Sequence, residues 1–99
     1  MVGWAAFAES DLTIEQGEVT THNSSGAAMR SFCPKCGTGL FYRNAQMLPG
    51  IVDIQSATFD DPARLPPQCH IQTAERIGWM AEQHALPTFA RFPGQDEVA

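Results

Sequence analysis

Two cysteines, Cys33 and Cys36, bracket Pro34 and Lys35 and are followed at once by Gly37. The Cys-Pro-Xaa-Cys-Gly spacing builds a knuckle, in which a tight turn between two strands aims both sulfurs at one point and turn N–H groups can donate to the thiolates. Pro34 presets φ just after the first sulfur, and Gly37 supplies the positive φ needed after the second. Both features lower the entropy of holding two anions together. Zinc suits such a pair, because a structural site has four protein ligands in a tetrahedron with sulfur at about 2.3 Å. One knuckle supplies two of the four.

A redox dithiol and a pair of plain buried thiols compete with the metal for this motif. The redox chemistry expects the first cysteine at a helix N-terminus, where the dipole lowers its pKa. Thr38-Gly39-Leu40-Phe41-Tyr42 favours a strand instead. Buried thiols have no need of the flanking Pro and Gly, so a zinc ion accounts best for the pattern. Cys69, His22, His70 and His84 are the further candidate ligands. Cys69 and His70 are neighbours in an expected strand and point to opposite faces, so at most one of them reaches a given ion. Alternatively the missing pair comes from a second copy, which would couple metal binding to a homodimer. His70 and His84 also have a plain reading as hydrogen-bonded side chains. Asp60-Asp61-Pro62 reads as a capped turn, its carboxylates accepting backbone N–H groups, and not as an acid pair for catalysis. The sequence has no Gly-rich phosphate loop, no Ser-His-Asp order and no His-Glu-Xaa-Xaa-His.

The elements that must position these residues are short. Apolar or β-branched runs separated by Gly, Pro, Asn and Asp predict strands at Trp4–Ala8, Leu12–Ile14, Glu18–His22, Ala28–Phe32, Gly39–Arg43, Gly50–Ile54 and Cys69–Thr73. Alternation in Ile51, Asp53 against Val52, Ile54, and in Leu40, Tyr42 against Phe41, Arg43, gives each of these strands one wetter face. Asn23-Ser24-Ser25-Gly26 predicts a hairpin turn, and hairpins make the sheet antiparallel. Asp60 to Pro67 holds three prolines and is expected as a surface connection. Helical spacing occurs once, over Glu75 to His84, where Ile77, Met80 and Ala81 recur before Leu86-Pro87 ends the run. Trp4, Trp79 and the six phenylalanines are expected in the core.

Ninety-nine residues with 43% hydrophobic side chains fit one compact domain, expected over residues 1–93 with a frayed tail at 94–99. The fold class is mainly β with little helix. Six basic against eleven acidic side chains argue against nucleic acid or an anionic membrane as partner, since both demand clustered Lys and Arg. No apolar run approaches the roughly 18 residues of a membrane span. The start of the chain has no leader pattern. Three cysteines, an odd number, look like reduced thiols and not a secreted disulfide framework. The expectation is a soluble, cytoplasmic protein.

Seven motifs follow one another between residues 4 and 92: Ser24-Ser25-Gly26, Arg30-Ser31-Phe32-Cys33-Pro34-Lys35-Cys36-Gly37-Thr38-Gly39-Leu40, Ile51-Val52-Asp53-Ile54, Phe59-Asp60-Asp61-Pro62, His70-Ile71, Arg76 with Trp79, and Leu86-Pro87-Thr88-Phe89. Their order resembles the glutathione-dependent formaldehyde-activating enzyme family, whose domain also occurs in centromere protein V. The resemblance implies a β-tent of small antiparallel sheets pinned by a structural zinc. It also implies a carbon–sulfur lyase chemistry, in which formaldehyde and glutathione join to give S-hydroxymethylglutathione. A second zinc there serves as Lewis acid and holder of a thiolate.

The family's structural zinc takes four cysteines, and Cys33 and Cys36 match its second pair. Its first pair, and the three cysteines of its catalytic zinc, belong upstream of the segment matching Trp4 to Phe7. Residues 1–99 are therefore expected to resemble the later part of the domain and to be impaired as a lyase. His84 stands where the family usually carries Asp. The competing expectation is a non-catalytic zinc-binding module that dimerises or docks on a protein through an exposed sheet edge.

Overall fold

The computed structural model describes residues 1–94. The chain divides into two compact units, residues 1–68 and residues 69–99. The first is a five-stranded sheet made of β1 (Trp4–Ala8), β2 (Thr20–Ser25), β3 (Ala28–Phe32), β4 (Gly39–Asn44) and β5 (Ile51–Gln55), in the spatial order β1-β5-β4-β3-β2. Every neighbouring pair is antiparallel. The mainly β expectation holds, and the strands join into a single sheet.

Register decides which side chains share a face. Ala5 lies opposite Ile54 and Phe7 opposite Val52 on one side, and Phe41 lies opposite Ile54 on the other. Because side chains alternate along a strand, Phe7, Val52, Ile54 and Phe41 line one face. Val52 is fully buried there, and Phe59 meets Phe7 edge-on with ring centroids 6.2 Å apart. On the other face His22, Arg30, Tyr42 and Asp53 form a row running across four strands. The Arg30 guanidinium carbon sits 4.8 Å from the Tyr42 ring centroid. Burial is thin, since among the described residues only Val52, Ala28 and Ser31 are buried.

The turns follow from local chemistry. Between β2 and β3 the chain reverses at Gly26, whose φ is +51°, while the Asn23 side-chain amide donates to the Gly26 carbonyl at 2.9 Å. The hairpin forms as the sequence predicts, with Asn23 to Ser25 belonging to the strand and a register shift accommodating them. Between β4 and β5 the Asn44 carboxamide oxygen accepts the backbone N–H groups of Gln46 and Met47 at 3.2 and 3.0 Å. Since β1 and β2 occupy opposite edges, residues 9–19 must cross the sheet to connect them. That crossing begins with a 3₁₀ turn at Glu9–Asp11, where the Glu9 carboxylate accepts from Arg43 Nε on β4 at 2.9 Å.

Several expectations are revised. Leu12–Ile14 forms no strand, lying between the Glu9–Asp11 turn and Gly17 at φ +83°. The strand expected over Glu18–His22 runs instead over Thr20–Ser25. Cys69–Thr73 is irregular as well, because it follows two prolines and contains Gln72 at φ +55°, which breaks an extended run. Asp61 precedes a 3₁₀ turn at Pro62–Arg64 without a side-chain cap; it is the Asp61 carbonyl that accepts from Arg64 N. In the second unit the expected helical stretch is a 3₁₀ segment, Gly78–Ala85, interrupted at Glu82. Trp79 is 61% exposed there, and Phe89 and Phe92 are exposed too, so these three leave the core list. Trp4, Phe7, Phe32, Phe41 and Phe59 are half-buried. Beyond Gly94 the expected frayed tail lies outside the described residues.

Candidate metal centre

The knuckle is the link between β3 and β4. Cys33 follows Phe32, the last residue of β3, and Gly39 opens β4. Two backbone hydrogen bonds close the turn: Cys33 N donates to the Thr38 carbonyl at 2.9 Å, and Gly37 N donates to the Cys33 carbonyl at 2.8 Å. Gly37 has φ +79°, and a side chain there would meet open space, so only the backbone demands glycine. The paired strands thus hold both ends of the hook, with Cys33 half-buried and Cys36 exposed at its tip.

The tip is chemically biased toward the thiolate. Cys36 Sγ lies 3.1 Å from Thr38 Oγ1. That hydroxyl, followed by the Thr38 backbone and the Cys33 side chain, holds the Cys36 thiol below its ordinary value. The thiolate is the form that binds metals. Thr38 is a contributor that spacing did not single out; its signal was a hydroxyl two residues past the second cysteine.

An open groove runs beside the hook. Ile14, Glu15 and Val19 of the crossing segment line it together with Cys33, Cys36 and Leu40. The crossing segment is therefore what makes the knuckle part of a cleft instead of a bare hairpin tip.

The other candidate donors are all exposed. His22 is exposed on β2 opposite Arg30. Cys69 and His70 are exposed in an irregular stretch, and His84 is exposed in the 3₁₀ segment. All three cysteines are free. Among the described residues no group of three or more His, Cys, Asp and Glu side chains is gathered to hold a metal. Hence the residues present fit half of a four-sulfur site. A strand, β4, follows the hook where a redox dithiol expects a helix, and exposure of Cys36 is contrary to a pair of packed thiols.

Residues 1–75 match the profile of the family described as glutathione-dependent formaldehyde-activating enzyme. The chain belongs to this family. No curated protein and no solved structure matches it. The family match contains all five strands, the hook and the pair Cys69-His70, while His84 lies beyond it. Among the described residues no helix is long and apolar enough to cross a membrane.

Proposed function

We propose that this member of the glutathione-dependent formaldehyde-activating family is a zinc protein of the carbon–sulfur lyase type, in which Cys33 and Cys36 hold the structural ion. The reading is supported chiefly by one observation: the family match encloses a hook whose hydrogen bonds aim two sulfurs from the end of a strand pair. Zinc bound there supplies a cross-link between β3 and β4 and whatever carries the remaining ligands. Cys33 and Cys36 provide thiolates, Thr38 steadies the one at Cys36, and Gly37 keeps the turn in its left-handed conformation. The substrates by family are formaldehyde and glutathione, chemistry that suits a reducing cytoplasm. For a second, catalytic ion the described residues gather no donor set.

The experiment has two readings. Residues 1–99, purified with zinc, are mixed with glutathione and formaldehyde, and formation of the S-hydroxymethyl adduct is followed by NMR exchange. Elemental analysis should find zinc, with adduct formation at the spontaneous rate. Turnover well above that rate would show that these residues carry a catalytic site of their own, and absence of zinc would remove the metal assignment.

The alternative is a non-catalytic docking module. It is favoured by the open edge of the sheet, where every residue of β2 is exposed. Glutathione-independent capture of a strand peptide by β2 would distinguish it.

A further inference from the structure

The row of side chains on the Tyr42 face of the sheet takes no part in the hook, and its two opposite charges do not meet. Arg30 rests on the Tyr42 ring, 4.8 Å from its centroid, so the guanidinium plane is held while its N–H edges stay open. Asp53 is half-buried in β5, between Tyr42 on one side and the small, exposed Ala6 on the other. Among the described residues neither charge has an ion-pair partner; the ion pair present joins Arg43 to Glu9, and Arg43 projects from the opposite face. The Tyr42 hydroxyl accepts from Asn44 Nδ2 at 3.2 Å and keeps its own proton to donate. From this arrangement we infer that the face binds a short free peptide laid across the strands, its carboxylate on Arg30 and its terminal ammonium on Asp53.

Spacing sets the length of the ligand. β3 and β5 both neighbour β4, so Arg30 and Asp53 stand two strand spacings apart, about 10 Å between their backbones. An extended chain covers up to about 3.5 Å per residue, so the ends of a tripeptide reach both charges and the ends of a single amino acid do not. Charge sets the orientation, because the reversed peptide would bring like charges together. A guanidinium held flat on an aromatic ring is already placed for a two-pronged bond to carboxylate. An ammonium beside Asp53 offsets the desolvation that its charge bears. Tyr42, lying between the two, offers its hydroxyl proton to a peptide carbonyl. Glutathione is the poorer ligand here: its amino end carries a carboxylate beside the ammonium, and that carboxylate would face Asp53. The inference does not rest on the zinc reading of Cys33 and Cys36, and each can fail alone.

Residues 1–99, labelled with nitrogen-15, are titrated with trialanine and followed by amide chemical shifts. The expected result is saturable binding that moves resonances of β3, β4 and β5. Trialanine amide and N-acetyl-trialanine should each bind at least about tenfold more weakly, the loss of one charge-assisted contact, and alanine should not compete. This discrimination is read on the wild-type chain and needs no variant. Arg30→Gln should erase the preference for the free carboxylate and keep that for the free amine, and Asp53→Asn should do the reverse. A purely structural role for either residue would not move one preference without the other. Equal binding of free and blocked peptides, absence of saturable binding, or shifts confined to the β2 edge would overturn the inference. Tighter binding of glutathione than of trialanine would overturn it too.

Discussion

The hydroxyls of Thr21 and Ser31 lie 2.9 Å apart across the β2–β3 pair, and only one of them is out of reach of water. Ser31 is 2% exposed, whereas Thr21 is exposed. The two ends of this hydrogen bond therefore do not have equal value. Ser31→Ala frees a hydroxyl that rehydrates and should cost about 1 kcal/mol. Thr21→Val strands the buried Ser31 hydroxyl and should cost more, roughly 1–3 kcal/mol. The double variant should recover part of that loss in urea unfolding. Equal costs for the two single changes would contradict the asymmetry.

Val52 is the fully buried aliphatic side chain of the sheet, with Phe7 opposite it on β1. Removing two methyl groups by Val52→Ala should cost about 2 kcal/mol, from lost burial and the cavity left behind. With so few buried residues to share the strain, the midpoint of thermal unfolding should fall by several degrees. A change confined to noise would place the main core elsewhere.

Asp53, in β5 between Ala6 and Tyr42, is pushed above the ordinary carboxylate range by burial. The folded state therefore binds this proton more tightly than the unfolded one. The sign follows: stability is highest below the unfolded value of about 4 and falls as pH rises from there through the folded pKa. Asp53→Asn should flatten that part of the stability–pH curve and raise stability at neutral pH. Unfolding curves collected from pH 3 to pH 8 would detect it, and an unchanged slope would refute it.

Gly37 adopts φ +79° with nothing near its missing side chain. Gly37→Ala should thus act purely through the backbone, costing roughly 1–2 kcal/mol. Because the strain sits inside the hook, zinc affinity measured against a chromophoric chelator should drop together with stability. Loss of stability with full affinity would show that the turn and the metal are independent.

How far the sequence carried the reading can be seen at particular residues. Trp4–Ala8 and Ala28–Phe32 are strands with the predicted bounds, and β4 and β5 differ by single residues at their ends, because alternation and Gly or Asn boundaries are local signals. The Cys33–Cys36 hook was legible for the same reason: its Pro and Gly are demanded by the turn itself. Trp79 and Phe89 were not, since an aromatic side chain looks like core in any sequence and only tertiary packing decides. Cys69 failed as a strand residue through Gln72, whose positive φ no propensity announces. Thr38 was hidden because a hydroxyl near a thiol gains meaning only once the chain has folded back on itself.

The sheet order has a consequence for the growing polypeptide. Among the described residues β1 pairs with β5 alone, so Trp4 to Ala8 leave the ribosome long before Ile51 to Gln55 exist to receive them. Meanwhile β2, β3 and β4 can zip as successive hairpins. During that interval Trp4 and Phe7 travel uncovered, until β5 emerges to pair with β1.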